Sequence, residues 1–350
     1  MTITEICKEI NIINNIEKEK LIQNKYGYIN NTIHCRSGNF QVISVGKTVM
    51  WDKKWITFPD FLMDYIKFIL GKEWWNANIA NPISEQHQII RWHKGMVHFQ
   101  NLQMRNCNGL YEAKVNSAML SYLLLAYDLY TIDHNSELQK RIICRIQDKN
   151  QFQGALYELY IASLFIRAGF DIDYSDDTDH SQKHPEFDAK FPLTEQLIAI
   201  EAKSRHRNGL LGMRIDSNDQ IFKLGITKLM NRAFNKTPNK PFIVFIDINL
   251  PNERKQYQSA KKQLIKEIDK SYRNKSINDK FNLIFFTDHH PFSNSDNAPA
   301  SIFFKKPIYI ESTNSNHKIA EIDTVKTRIL KSISQYGNIP NAFSDLDPYD

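Results

Sequence analysis

The residues Glu201 and Lys203 carry opposite charges and stand two positions apart at the end of the apolar run Leu197 to Ile200. Such a run predicts a strand, and side chains alternate between the two faces of a strand. Glu201 and Lys203 are therefore expected to lie next to each other on one face. A carboxylate held in this way could take part in binding a cation.

A second acidic residue, Asp188, stands in another predicted strand, Phe187 to Phe191. Its neighbours Phe187 and Ala189 are expected to face a core, which directs Asp188 to the opposite side. If the two strands pair as a hairpin, Asp188 and Glu201 can converge on one cation. Magnesium prefers oxygen ligands and usually takes one or two protein carboxylates, so we predict Asp188 and Glu201 as metal ligands.

The third acidic residue is Glu158, the only charged residue between Lys149 and Arg167. It stands in a predicted helix, where its neighbours three and four positions away are small or apolar. A lone carboxylate in such a stripe is costly unless water, a metal or a partner compensates. The alternative is structural: Glu158 reaches solvent or pairs with a buried basic residue.

The acid-x-Lys pattern alone is not specific, because it occurs five times in the chain. The lysines concerned are Lys54, Lys114, Lys190, Lys203 and Lys255. Only Lys203 ends a predicted strand that follows a second strand with an acid. Just after it, Arg205 and Arg207 could hold phosphate oxygens, since guanidinium groups match phosphates in a two-pronged way. The alternative for these arginines is a solvated loop.

The second half of the chain contains the elements that must position these residues. Helices alternate with strands there, which predicts an α/β fold with a mixed sheet flanked by helices. The predicted helices are Phe152 to Ala168, Asp219 to Phe234, Arg254 to Arg273 and Ile319 to Ser334. The predicted strands are Phe170 to Tyr174, Phe187 to Phe191, Leu197 to Ala202, Pro241 to Leu250 and Asn282 to Thr287.

The first half has a different pattern of apolar residues, and it is predicted to be mostly helical. Helices are expected at Pro59 to Leu70 and Lys114 to Tyr130. All five tryptophans lie in this half, where large aromatics are expected mainly in a core, with base stacking as the alternative. We therefore divide the chain into a helical recognition or partner domain (1–145), an α/β core (146–312), and a C-terminal helix with a polar tail (313–350).

Composition and charge restrict the class of protein. The hydrophobic fraction of 42% is enough for a sizeable core. The four cysteines form no CxxC pair, which argues against a zinc ribbon or a disulfide framework. The start of the chain has no apolar signal region and the longest apolar stretch is too short for a membrane span, so we expect a cytoplasmic protein. No phosphate-binding P-loop, dinucleotide fingerprint or nucleophile elbow is present.

The charge is unevenly distributed. Between Glu201 and His290 there are 18 Lys and Arg residues against 9 Asp and Glu residues, whereas Asp171 to Asp188 contains seven acids and one base. An acidic segment beside a basic one suits a cation site that faces a polyanion. Ordinary variation in surface charge is the alternative.

The order of a helix with Glu158, a strand with Asp188 and a strand with Glu201-x-Lys203 resembles the PD-(D/E)XK, or restriction-endonuclease-like, nuclease superfamily. The resemblance covers about residues 151–207, and the proline of the pattern, Pro185, stands three positions before Asp188. Glu186 is therefore a possible substitute for Asp188. The resemblance implies a restriction-endonuclease-like sheet and the catalytic set Glu158, Asp188, Glu201 and Lys203, with Mg²⁺ or Mn²⁺ as cofactor.

The resemblance also implies a function and partners. The expected activity is hydrolysis of nucleic-acid phosphodiester bonds, with DNA favoured, endonucleolytic cleavage favoured and a role in bacterial defence or restriction. Double-strand cutting from one active site per chain would favour a homodimer, and a defence-system partner protein is the other possible partner. The competing hypothesis is a non-catalytic nucleic-acid-binding or assembly subunit that retains the nuclease fold.

Overall fold

The computed structural model describes residues 3–103, 105–107, 110–112, 116–174, 184–206, 224–236, 238–249, 254–272, 279–289 and 307–348. Helices and strands alternate irregularly in the first half. They are α1 (Ile3–Tyr26), β1 (Ile33–Ser37), β2 (Phe40–Val45), β3 (Thr48–Asp52), α2 (Phe58–Leu70), α3 (Lys72–Ala80), α4 (Gln88–Gln103), β4 (Arg105–Cys107), β5 (Leu110–Glu112), α5 (Ser117–Asn135) and α6 (Lys140–Gln147).

The second half contains the main sheet and the helices around it. Its elements are α7 (Phe152–Arg167), β6 (Asp171–Asp173), β7 (Phe187–Phe191), β8 (Gln196–Ser204), α8 (Ile226–Phe234), β9 (Phe242–Asp247), α9 (Arg254–Tyr272), β10 (Leu283–Thr287), β11 (Ile308–Glu311) and α10 (Ile322–Gln335). None of the described helices has both the length and the apolar character that a membrane span needs.

The main sheet has six strands in the order β11-β10-β9-β8-β7-β6. The central strands β8, β9 and β10 are parallel, and the pairs β6-β7, β7-β8 and β10-β11 are antiparallel. Every residue of β9 and β10 is buried, as expected for parallel strands that are covered on both faces. The predicted α/β fold with a mixed sheet flanked by helices is thus confirmed.

Two hydrophobic clusters cover the two faces of this sheet. The larger contains Phe187, Ile200 and Phe245 from the sheet, together with residues of α2, α5, α7 and α10. The smaller joins Ala199 and Val244 of the sheet to apolar residues of α8 and α9. Odd and even positions of β8 therefore face different layers, and the face that bears Ala199 is also the face of Glu201 and Lys203.

Helix α7 is almost entirely buried. Apolar residues surround it on nearly all sides, so α5, α10 and the sheet can all pack against it. The helix ends before Gly169, whose φ of 81° lies in the left-handed region that glycine adopts without strain. Glu158 thus stands on a fixed element next to the strands β7 and β8.

Some elements differ from the prediction. The first half also contains a three-stranded antiparallel sheet, β1-β2-β3, and the hairpin β4-β5, none of which was predicted. Strand β11 was also missed. Helix α8 begins at Ile226, after Gly225 in the left-handed conformation; residues 219–223 of the predicted helix lie outside the described part of the chain.

The tryptophans are mostly in the core, as expected. Trp55, Trp75 and Trp92 are buried, and Trp74 is partly buried against the larger cluster. Trp51 is the exception, with 62% of its surface exposed on the outer side of β3.

Candidate functional site

The strands β7 and β8 bring the acidic residues together in a register that the sequence did not reveal. Asp188 lies opposite Ala199, and Phe187 lies opposite Ile200. The pairing of the two strands ends there, and the amide of Glu186, the residue before β7, donates a hydrogen bond to the Ile200 carbonyl at 2.9 Å. Glu186, which precedes the predicted strand, contacts the same two lysines as Glu201, namely Lys203 and Lys236. Asp188 lies opposite Ala199, on the face that also bears Glu201.

Glu201 is fully buried in the middle part of β8, opposite Val244 of β9. Its Oε1 is in contact with the Lys203 Nζ, and its Oε2 lies 2.9 Å from the Lys236 Nζ. Burial and, next, the charge of Glu186 raise the pKa of Glu201 to about 7, against the opposing effect of the two lysines. The ionised form of Glu201 thus depends on the positive charges around it.

Glu186 shares both lysines with Glu201. Its Oε1 lies 3.1 Å from the Lys203 Nζ and 3.1 Å from the Lys236 Nζ. Burial alone would raise the pKa of Glu186, but the two ammonium groups overcome this effect and hold its pKa below the ordinary value. Two carboxylates and two ammonium groups therefore form one compact, electrically balanced cluster.

Lys203 has the central position in this cluster. Its ammonium contacts Glu186 and Glu201 and donates a hydrogen bond to the Ala202 carbonyl at 3.3 Å. Burial works against its charge, yet Glu201 and Glu186 keep the pKa of Lys203 above the ordinary value for lysine. Lys203 thus keeps its positive charge beside the two carboxylates.

Glu158 approaches the same region from α7. Its Oε1 accepts a hydrogen bond from Nη2 of Arg145 at 2.7 Å, and its Oε2 contacts Nη1 of the same guanidinium. Glu158 and Arg145 line a small pocket together with Glu186. Burial, followed by the charge of Glu186, raises the pKa of Glu158 against the effect of Arg145. Glu158 is therefore close to the cluster, but a basic partner already binds both of its oxygens.

Asp188 is also ion-paired. Its Oδ2 lies 2.6 Å from the Lys240 Nζ. Within the described residues its other oxygen, Oδ1, is buried and accepts no hydrogen bond. Asp188 thus lies on the face of Glu201 but has a different basic partner.

Of the two predicted phosphate-binding arginines, the structure describes Arg205. The Arg205 guanidinium donates to the backbone carbonyls of Ile248 and Asn249, at 3.4 Å and 3.3 Å. Arg205 thus joins the ends of β8 and β9. Arg207 lies outside the described residues.

Next to the cluster, Asp247 closes a buried polar chain at the carboxyl end of β9. Its Oδ2 accepts a hydrogen bond from Ser204 at 3.2 Å, and its Oδ1 accepts one from the His289 amide at 2.8 Å. The His289 ring lies 3.2 Å from the Tyr336 hydroxyl, which donates to Asp128. The residue that follows Lys203 is therefore fixed through this chain to α5 and the end of α10.

The cluster offers Mg²⁺ or Mn²⁺ carboxylate oxygens as ligands. Within the described ranges, no three His, Cys, Asp or Glu side chains are grouped as a metal site. The adjacent pair Glu186 and Glu201 nevertheless has the right donor chemistry, since Mg²⁺ usually takes one or two carboxylates and leaves its other positions to water and phosphate. Both Glu201 oxygens are buried and accept no well-directed hydrogen bond from the described residues, although the lysines are close. This donor set fits the ion.

Sequence reasoning missed three basic residues of the site: Arg145, Lys236 and Lys240. Each is distant in sequence from the carboxylate that it contacts, by 13 residues for Arg145 and by 50 or more for the contacts of Lys236 with Glu186 and of Lys240 with Asp188. No spacing rule connects such positions. The isolated charge of Glu158 in an apolar stripe was the one signal that a basic partner was needed.

Comparisons with models of known protein families, with curated proteins and with solved structures give no significant match.

Proposed function

We propose that this chain is a divalent-cation-dependent nuclease that hydrolyses nucleic-acid phosphodiester bonds. The observation that supports the proposal is the convergence of Glu186, Glu201 and Lys203 on one face of a mixed sheet, with Glu158 near them on α7. The order of these residues in the chain is the order on which the resemblance to the PD-(D/E)XK superfamily rests.

In this proposal Glu186 and Glu201 hold Mg²⁺ or Mn²⁺, and Glu186 replaces Asp188 as the second ligand. The bound ion would supply Lewis-acid polarisation of the scissile phosphate and activation of water. Asp188 lies one step away on the same face and keeps Lys240 in place. The choice between Glu186 and Asp188 rests on their basic partners: Glu186 contacts Lys203 and Lys236, as Glu201 does, whereas Asp188 contacts Lys240.

Lys203 and Glu158 have separate roles in the proposed reaction. The Lys203 ammonium orients the attacking water and balances negative charge as it develops on the phosphate. Glu158 accepts hydrogen bonds at the rim and positions the water, once Arg145 turns toward the substrate. The guanidinium of Arg145, which lines the same pocket, is suited to a substrate phosphate.

DNA is the favoured substrate, and a role in bacterial defence or restriction is the favoured context, because the family resemblance implies both. A cytoplasmic location agrees with the scattered cysteines, which suit a reducing compartment. The dimer and the defence-system partner protein remain parts of the same proposal.

One observation favours a second function, that of a non-catalytic nucleic-acid-binding or assembly subunit. Each of the four acidic side chains already has a basic partner: Arg145 for Glu158, Lys240 for Asp188, and Lys203 with Lys236 for Glu186 and Glu201. A closed network of this kind can serve to fix a fold instead of catalysing a reaction.

A cleavage assay distinguishes the two functions. Supercoiled plasmid, linear duplex, single-stranded DNA and RNA are incubated with the purified chain in Mg²⁺, in Mn²⁺ and in chelator. We expect cation-dependent cutting of at least one polymer, lost in Lys203→Met. The control is Lys190→Met. Lys190 belongs to the acid-x-Lys pattern of β7, is partly exposed, and forms an ion pair with Glu195. Binding without cutting in every condition would favour the non-catalytic subunit.

A further inference from the structure

Lys236 has a position that the proposed reaction does not require. It follows the end of α8, and its Nζ lies 2.9 Å from Oε2 of Glu201 and 3.1 Å from Oε1 of Glu186. Lys203 already supplies one ammonium to the same two carboxylates. A second ammonium therefore lies in the region between the proposed metal ligands.

The two lysines approach the carboxylate pair differently. Lys203 is fixed in the middle of the sheet by β8 and contacts Oε1 of Glu201, whereas Lys236 contacts the other oxygen, Oε2. The Lys236 side chain extends from a helix end, is 18% exposed, and has only these two carboxylates as ammonium partners among the described residues. A flexible lysine at such a place can move aside without disturbing the sheet.

We propose that Lys236 is an internal competitor of the divalent cation: its ammonium occupies the carboxylate pair in the metal-free protein and is displaced when the metal binds. This inference rests on the proposed function, because it takes Glu186 and Glu201 as the metal ligands. A cation that enters must replace a bound positive charge, so the lysine lowers the apparent affinity of the site for metal.

Displacement also has a consequence for the substrate. Once released, the Lys236 ammonium lies beside the site with no carboxylate partner, and a phosphate of the nucleic-acid backbone can take that place. Metal and nucleic acid should then favour each other's binding, and this coupling must be reciprocal. Lys236 would thus couple the binding of the metal to the binding of a polyanion.

The test is Mn²⁺ binding without nucleic acid, measured as free Mn²⁺ by electron paramagnetic resonance and independently by calorimetry. The proteins compared are the wild type, Lys236→Met, Lys236→Gln and Lys236→Arg. We expect the two neutral variants to bind Mn²⁺ at least about tenfold more tightly than the wild type, and the arginine variant to resemble the wild type. The control is Lys228→Met, which removes an exposed lysine of α8, the helix that precedes Lys236.

A second readout is thermal stability. Without metal, Lys236→Met should melt at a lower temperature than the wild type, because two buried carboxylates lose a partner, and Mn²⁺ should stabilise this variant more than it stabilises the wild type. The glutamine variant retains a hydrogen-bond donor and serves if the methionine variant does not fold.

The outcomes separate the two proposals. If the wild type binds Mn²⁺ and the neutral variants bind it equally or more weakly, Lys236 is not a competitor, and the proposed nuclease function is untouched. If none of the proteins binds Mn²⁺, both the competitor role of Lys236 and the proposed metal site are wrong.

Discussion

Glu201 is a buried carboxyl group, and its ionisation depends on the two ammonium groups beside it. An isolated buried carboxylate would be neutral, because removing its charge from water costs several kcal/mol. Lys203 and Lys236 reduce that cost on opposite oxygens of the side chain. The same arrangement holds two carboxylates side by side, which is what a divalent cation needs. At the residue scale, the site is therefore defined by its register and its counter-charges.

The shared basic partners of Glu186 and Glu201 predict that Glu186, and not Asp188, is the second ligand of the proposed metal site. Glu186→Gln should raise the Mg²⁺ concentration that gives half-maximal cleavage by at least about tenfold, since even substitutions outside the ligand set often cost that much. Asp188→Asn is the matched comparison and should have a smaller effect, because Asp188 lies opposite Ala199. The measurement is a Mg²⁺ titration of the initial rate. A larger effect of Asp188→Asn would restore Asp188 as the ligand.

At the element scale, the sequence predicted the strands of the site but not how they align. The pattern Phe187–Phe191 alternates buried and half-buried residues, as expected for a strand with one apolar face. Such a pattern fixes which side chains share a face, but it leaves open which residue of the partner strand lies opposite. From the sequence, Glu186 was therefore only a substitute for Asp188. Its contacts with Lys203 and Lys236, which it shares with Glu201, are visible only in the structure.

The sheet β1-β2-β3 was missed because its outer face is apolar. Ile33, Phe40 and Trp51 are exposed on this face, so the alternation of apolar and polar residues that usually marks a strand is weak. The turns were the available signal, since Gly38 and Gly46 both have positive φ in two-residue hairpin connections. The basic partners Lys236 and Lys240 left no such signal, because only tertiary contacts bring them to the site.

The junction of α4 and α7 predicts a dependence of stability on pH. His87 precedes α4, is almost fully buried, and packs its ring against Phe152 at the start of α7 and against Trp74. Burial, with a smaller contribution from Lys149, lowers the pKa of His87 from 6.5 to about 4. The unfolded chain thus binds a proton more readily than the folded one, so stability is lost as the pH falls from 6.5 towards 4.

The expected loss from this one histidine is roughly 3 kcal/mol of unfolding free energy by pH 4. Urea unfolding at pH 7, 5.5 and 4 measures it, and His87→Gln should lose correspondingly less stability over that range. His98→Gln, at an exposed position of α4, is the control and should keep the wild-type dependence. An unchanged pH dependence in His87→Gln would mean that His87 is not responsible.

At the scale of the whole molecule, one hydrophobic cluster extends across the chain. It contains Phe58 of α2, Tyr127 of α5, Phe165 of α7, Phe245 of β9 and Ile329 of α10. The predicted boundaries at residues 145 and 312 therefore do not coincide with gaps in the core. Arg145 of α6 also binds Glu158 of α7, so an ion pair of the site crosses the first boundary.

This continuity predicts that the chain unfolds in one cooperative transition. The tryptophans offer a probe of the first half, because all five lie between Trp51 and Trp92, although Trp92 also contacts Phe152 of α7. Circular dichroism reports on the helices of the whole chain. We expect the two signals to give the same midpoint in urea. Two separate transitions, with fluorescence changing at its own midpoint, would show that the two halves fold independently.

We propose that the cluster of Glu186, Glu201 and Lys203 is a metal-dependent centre for phosphodiester cleavage. The most direct test is the initial rate of nucleic-acid cleavage by the wild type and by Glu201→Gln, with Mg²⁺, after chelation, and after Mg²⁺ is restored. We predict that the wild-type rate disappears with chelator and returns with Mg²⁺, and that Glu201→Gln is at least about 100-fold slower at saturating Mg²⁺. Cleavage that persists in chelator, or an equal rate in Glu201→Gln, would contradict the claim.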